Sequence, residues 1–354
     1  MVISITFSIL LIFVISLFVS FSVNGRQQWY SQGMVPVVIL GLFVLFGTVF
    51  SPLGSDKIRY LSDFVYIEFN NFDKDIGWFY LTKILYDLTN GSTVAYLFIL
   101  AFSYLLGYCI LGANYFGKDK LFYFILFSTL YMGFWSGGTN IMRAGLATSF
   151  FFISLAYKDR IGIYLLFSLL AVSIHGSLLV LVVGFLATKY YCNYRTFYYI
   201  WICFVVLSAA NVLGGVTDFL SSHLGGEVGE RLADYAYVDS DNEVYELYTN
   251  AGFRVDFIIY SAFPLLYAWW MMEKRGYNDY FFERLVCTYI MANCLWLVMI
   301  RVPYADRFAL LSWSLMCFIM LYPYLHKDEA IEYDSKGVCA VMIPVLVNVA
   351  LLLR

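Results

Sequence analysis

No charged residue occurs between Val2 and Val23, and the pattern recurs along the chain. Further apolar runs lie near 34–51, 92–114, 121–137, 140–157, 161–174, 177–189, 197–214, 255–272, 281–300, 305–325 and 337–353. A helix needs about 20 apolar residues to cross the hydrocarbon of a bilayer, where each backbone polar group must be satisfied within the segment. Twelve such runs in 354 residues predict an all-α polytopic membrane protein of about 12 transmembrane helices, one integral membrane domain over 1–354. The first run has no basic residue ahead of it and reads as a permanent span, not a secretory leader. The pair 161–174 and 177–189 is short and crosses only if tilted or buried against neighbours.

Hydrophobic side chains make up 62% of the chain and charged ones 13%, so little is left for a soluble domain. The net charge of -3 offers no basic excess to neutralise a nucleic acid backbone, which excludes that class of partner. Loop charge sets orientation. With 52–91 outside, 12 of the 22 Lys and Arg fall inside and both termini face outside. Seven of the inner 12 are Lys, the ordinary topology signal, whereas seven of the outer 10 are Arg. Arg is the residue for bidentate recognition of phosphate or carboxylate. Six of the seven Cys fall in spans and Cys192 in an inner loop, which gives no disulfide framework. Two outer segments are large: 52–91, aromatic and acidic, and 215–254, acidic and Gly-rich. Function tends to sit on such segments.

Four Arg sit where an outer segment meets a span: Arg143 in GGTNIMRAGLATS, Arg254 in FRVDFIIYS, and Arg301 and Arg307 in RVPYADRFALLSW. One Arg at a helix end can snorkel to the head groups; four on one face point to an anion site or to ion pairs with Asp256 and Asp306. Gly137 and Gly138 read as a break in the preceding span, with Thr139 or Asn140 as N-cap of the next. Asn140 and Arg143, three apart, then share a face at a helix start that attracts anions. That set suits a lipid-linked phosphate or pyrophosphate. His175, at the outer turn of the short pair, is placed to act as general base, since imidazole titrates near neutral pH; Asp56 is the other candidate. Asp56 and Tyr60 in GSDKIRY, with Glu68 and Trp78, read as a sugar-binding set, rings covering the apolar sugar face and carboxylates accepting hydroxyl protons. Asp73/Asp75 and Asp239/Asp241 form DxD pairs, a weak metal signal in acidic segments, and neither metal nor cofactor is expected. No HExxH, GxSxG, P-loop or GxGxxG stands in usable context.

In order along the chain, GSDKIRY, DIGW, GGTNIMRAGLATS, IHGSLL, FRVDFIIYSAFPLL and VPYADRFALLSWSLMCFIMLYP resemble the EpsG branch of the Wzy-type polysaccharide polymerases, from about Gly54 to Pro323. Asp306 departs from the Asn more often found before the Arg, and Ala144 from the Gln or Asn that often follows it. The resemblance implies polymerisation of O-antigen, capsule or exopolysaccharide repeat units on undecaprenyl pyrophosphate at the outer, periplasmic face of the bacterial inner membrane. A chain-length regulator and a flippase are the implied partners beside membrane lipids. On this reading Arg143, Arg301 and Arg307, with Arg254 and Asn140 behind them, bind the pyrophosphate. Three other activities share parts of the pattern. A flippase would show internal repeats or charged, broken midplane helices. An acyltransferase would draw its donor from the inner side, whereas His175 is placed outside. An O-antigen ligase would differ only in acceptor.

Overall fold

The computed structural model describes residues 35–52, 54–68, 75–213, 253–301, 305–326 and 335–352. Every regular element among them is helical. In chain order these are α1 (Val35–Val49), α2 (Ser55–Val65), α3 (Ile76–Thr89), α4 (Thr93–Phe116), α5 (Lys118–Ser128), α6 (Met132–Thr139), α7 (Met142–Ala156), α8 (Ile161–Ile174), a 3-10 turn at Gly176–Leu178 leading into α9 (Leu179–Ala187), and α10 (Tyr194–Ala209). They continue with α11 (Val255–Trp269), ending in a π turn at Trp270–Lys274, then α12 (Tyr280–Val298), α13 (Asp306–Leu325) and α14 (Ser335–Leu352).

Four of these are long and apolar enough to cross a membrane unaided: α4, α11 with its π turn, α12 and α13. A fifth span arises if α5 and α6, which meet at 83°, act as one broken crossing. The apolar helices α1, α7, α8, α9 and α10 are shorter. At 1.5 Å per residue they reach about 14–24 Å, less than the hydrocarbon thickness of about 30 Å. The expected run 121–137 is thus split, and 177–189 begins as a 3-10 turn. The expected run 2–23, and 215–254 apart from its last two residues, lie outside the described residues.

The segment 52–91, expected as an outer loop, carries two helices. In α2 and the turn after it, Tyr60, Phe64 and Ile67 are buried while Arg59 and Ser62 are exposed. The apolar spacing of four and three residues gives the helix one inward face.

The chain packs as two units, residues 1–182 with 320–354, and residues 183–319. In the first, α4 and α7 form the most closely packed pair. The Tyr108 ring meets Phe134 and Phe152 edge-to-face, each at 4.9 Å, and the Tyr104 hydroxyl donates to the Phe134 carbonyl at 2.7 Å. Between α6 and α7 the backbones touch. A Cβ on Gly145 would lie 2.6 Å from the Gly137 carbonyl carbon and 2.8 Å from its Cα, so only glycine permits this approach. At one end of the unit Lys158 lies over the Tyr115 ring at 5.6 Å and Lys120 donates to the His326 carbonyl at 3.3 Å. Arg143 sits at the opposite end of α7 from Lys158.

In the second unit a buried polar network ties the helices. Asn293 accepts from the Trp201 indole at 2.7 Å and donates to the Ser261 and Ser312 hydroxyls at 3.1 and 2.9 Å. The Trp313 indole reaches Ser261 Oγ at 2.8 Å. Each polar group has a partner, which is what lets an amide sit in an apolar core. Arg284 donates to the Phe185 carbonyl at 2.7 Å and to Thr188 Oγ1 at 3.1 Å, capping the C-terminal end of α9.

Candidate functional site

A buried polar constellation of the first unit centres on Asp75, the residue before α3. Asp75 Oδ2 lies 2.9 Å from Arg143 Nη1, and its Oδ1 accepts the Gly176 N–H at 3.2 Å. One carboxylate therefore joins the start of α3, the first turn of α7 and the turn after His175. Its side chain is 5% exposed, and desolvated ion pairs of this kind are costly to break because they strand a buried charge. Its backbone is left-handed, with φ 56° and ψ 65°, a conformation that costs a residue with a Cβ about 1 kcal/mol or more. Gly77 allows the approach: a Cβ there would come within 2.7 Å of the Ser173 carbonyl carbon on α8. His175 is half-buried, ends α8 with its N–H on the Ala171 carbonyl, and accepts from Leu178 N–H, each at 3.0 Å.

Arg143 uses one nitrogen for Asp75. Its Nε is enclosed and has no hydrogen-bond partner among the described residues, and neither has Asn140 Oδ1. A buried donor or acceptor left without a partner costs about 1–3 kcal/mol, so both atoms are free to take a ligand group. Asn140 Oδ1 stands against Gly54, where a Cβ would meet it at 2.6 Å. The cap expected at this helix start is corrected by the structure. The residue before α7 is Ile141, with no side-chain cap bond. Thr139 spends its hydroxyl on the Trp135 carbonyl at 2.7 Å, Asn140 closes α6, and Gly137 and Gly138 lie within α6, so the helix breaks after them.

α2 supplies further carboxylates. Asp56 is buried in its first turn. Asp63 feels both Arg59 and Arg143; burial raises its carboxyl above the usual range and the two guanidinium charges draw it back. Lys57, 1% exposed, anchors the helix. Its ammonium donates to the carbonyls of Thr48, Val49 and Ser51 at 3.1, 2.9 and 3.2 Å and to Ser51 Oγ at 2.8 Å, closing the C-terminal end of α1. Burial pushes that ammonium down to about 8, and the four oxygens oppose the shift by solvating the charge. Tyr60 and Trp78, read from sequence as sugar platforms, are 8% and 1% exposed and pack on each other edge-to-face at 5.4 Å. They hold α2 against α3. Glu68 is exposed in the turn after α2.

The other three Arg belong to the second unit. Arg254 grips Asp256 with both arms, Nε to Oδ1 at 2.9 Å and Nη2 to Oδ2 at 2.7 Å, and lies over the Phe257 ring at 3.9 Å. The ion pair expected there is present. Asp306, at the start of α13, lies within electrostatic reach of Arg254. Arg301 is exposed, 5.5 Å from the Phe253 ring, with a long 3.5 Å contact from Nη2 to the Ser208 carbonyl. Arg307 is half-buried in the first turn of α13. Arg301 and Asp306 thus both lie near the segment 253–256, and Arg301 keeps most of its fork open.

Chemically, the first unit offers a guanidinium held by a carboxylate, a half-buried imidazole one residue from that carboxylate's amide partner, and an amide oxygen short of a donor. Such a set has the chemistry to hold an anion and a hydroxyl. Among the described residues no three His, Cys, Asp or Glu side chains converge as a metal site; Asp73, Asp239 and Asp241 lie outside them. Sequence reading passed over Asp75 as half of a DxD pair. An acid directly before a helix whose second residue is Gly was the available signal.

Residues 33–353 match the family model described as the EpsG family. No curated protein and no solved structure matches the chain.

Proposed function

The chain belongs to the EpsG family, whose members are Wzy-type polysaccharide polymerases, and from that premise we propose that it moves a growing glycan from undecaprenyl pyrophosphate onto a new lipid-linked repeat unit. The observation that carries the reading is a family match over nearly the whole of a many-helix apolar chain.

The chemistry follows from the groups at hand. A hydroxyl at the non-reducing end of the new unit attacks the anomeric carbon of the donor glycan. A C–O bond forms there, the bond to pyrophosphate breaks, and its electron pair leaves on the pyrophosphate oxygen. His175, or Asp56 in its place, takes the hydroxyl proton. Preorganised guanidinium groups stabilise the charge that builds on the leaving group; in the first unit Arg143 suits that role, and in the second unit Arg301 and Arg307 are the candidates. Arg254 is committed to Asp256 and plays a supporting part. Asn140 Oδ1 lacks a donor, which a substrate hydroxyl supplies. A carboxylate nucleophile for double displacement needs a free, paired acid. Asp75 is engaged by Arg143 and the Gly176 amide, which favours a single, inverting displacement. The guanidinium charges make a divalent ion redundant, and the outer face of the inner membrane is where the substrate meets them.

Reconstituted protein supplied with a pyrophosphate-linked repeat unit is expected to yield a ladder of glycans in the presence of EDTA, with the new linkage inverted. Loss of the ladder on chelation and its return with Mg²⁺ overturns the metal-free mechanism. A single-step product with a non-lipid acceptor overturns the polymerase reading.

A further inference from the structure

We infer that Asp75 is the positioning residue of this site: it fixes the guanidinium of Arg143 and the His175–Gly176 turn with respect to each other, and leaves the Nε–Nη2 edge of Arg143 for the leaving group. The inference rests on the polymerase reading for what is bound, and on Asp75 geometry for how.

The carboxylate has two oxygens and spends them on different partners, Oδ2 on Arg143 Nη1 at 2.9 Å and Oδ1 on Gly176 N–H at 3.2 Å. Those partners belong to segments that the chain brings together from far apart, the amide lying 101 residues away. Holding Nη1 leaves the edge made of Nε and Nη2, and Nε has no acceptor among the described residues. A guanidinium offers a phosphate two parallel N–H groups along one edge. With Asp75 on the outer nitrogen, the edge left over is the bidentate one. On the other oxygen, the Gly176 amide ties down the residue next to His175, which sets where the imidazole begins. The left-handed backbone of Asp75 and the near contact of Gly77 with Ser173 place the carboxylate between the two. Strain of this sort persists where surrounding contacts over-determine it.

A positioning role differs from a plain ion pair in what it predicts. Asp75→Asn keeps the shape and an acceptor for Gly176 N–H but removes the charge that grips Arg143. Turnover of the lipid-linked repeat unit by the reconstituted variant is expected to fall about 100-fold, the scale of a displacement near 1 Å at a reacting centre. The KM for the donor should change by less than about threefold, because the loss is in the transition state. Asp75→Glu keeps the charge and moves it by one methylene, so it is expected to accumulate and melt near the wild type while turnover falls at least about tenfold. If Asp75→Asn fails to fold, Asp75→Glu alone decides. Turnover of Asp75→Asn within about threefold of wild type overturns the proposal, as does wild-type turnover in Asp75→Glu, since the pair then merely braces the helices. A wild-type protein with no turnover removes the polymerase reading and this proposal with it, whereas the two preceding results remove only the role of Asp75.

Discussion

Gly145→Ala tests whether the backbone contact between α6 and α7 sets the position of Arg143, two residues earlier on the same helix. The added Cβ would lie 2.6 Å from the Gly137 carbonyl carbon and closer to its oxygen, where ordinary contact begins at 3.4 Å. The atoms in the way are backbone, so no rotamer change relieves the clash, and the helices must part by about 1 Å. Overpacking of this kind costs about 1–3 kcal/mol, and a catalytic group carried off by about 1 Å loses about 100-fold in rate. The assay is paired: melting temperature in detergent and polymer yield after reconstitution, with Gly162→Ala as the control. A Cβ at Gly162 meets nothing within 4 Å, so that variant should match or slightly exceed wild-type stability, by up to about 1 kcal/mol of helix propensity. Gly145→Ala with wild-type melting and wild-type yield refutes the argument, because α7 then has room that the structure denies it.

Lys57→Met leaves the Thr48, Val49 and Ser51 carbonyls facing a thioether, and should lower stability by about 2 kcal/mol or more in the same melting assay; an unchanged midpoint would show that water satisfies that helix end. Arg143→Lys, Arg301→Lys and Arg307→Lys should each accumulate normally and lose most polymer, since a point charge cannot reproduce a bidentate fork; normal ladders from all three would move the anion site elsewhere. His175→Ala should slow transfer strongly and abolish the acid limb of the pH–rate profile. A profile identical to wild type assigns the proton to Asp56 or another carboxylate.

The helical class was legible because apolar run length and spacing are local properties. That Asp56, Arg143 and His175 fall in one unit, and Arg254, Arg301 and Arg307 in the other, was not read from the sequence. What escaped was pairing at a distance. Asp75 binds an amide 101 residues away, and nothing in the DKD pattern distinguishes that from a metal ligand or a solvated loop. Thr139 and Asn140 have the right chemistry for an N-cap, but the hydroxyl is taken by Trp135 in the preceding helix. Tyr60 and Trp78 have the composition of a sugar platform; which way each ring turns depends on the helix packed beneath it, and both turn inward. Lys57 reads as an exposed loop charge until the end of α1 is seen to need it. The run 121–137 read as one span because run length in sequence ignores the kink at Thr129 to Tyr131.

The central claim, transfer from a pyrophosphate-linked donor onto a lipid-linked acceptor, is tested most directly by counting leaving groups. Protein reconstituted with a radiolabelled lipid-linked repeat unit is sampled through time for free undecaprenyl pyrophosphate and for glycan length. The account predicts one lipid pyrophosphate released for each repeat joined, rungs spaced by one unit, and the last-added unit still bearing its lipid, with release and growth lost together in Arg143→Lys. Growth without release, or release without growth, would contradict it.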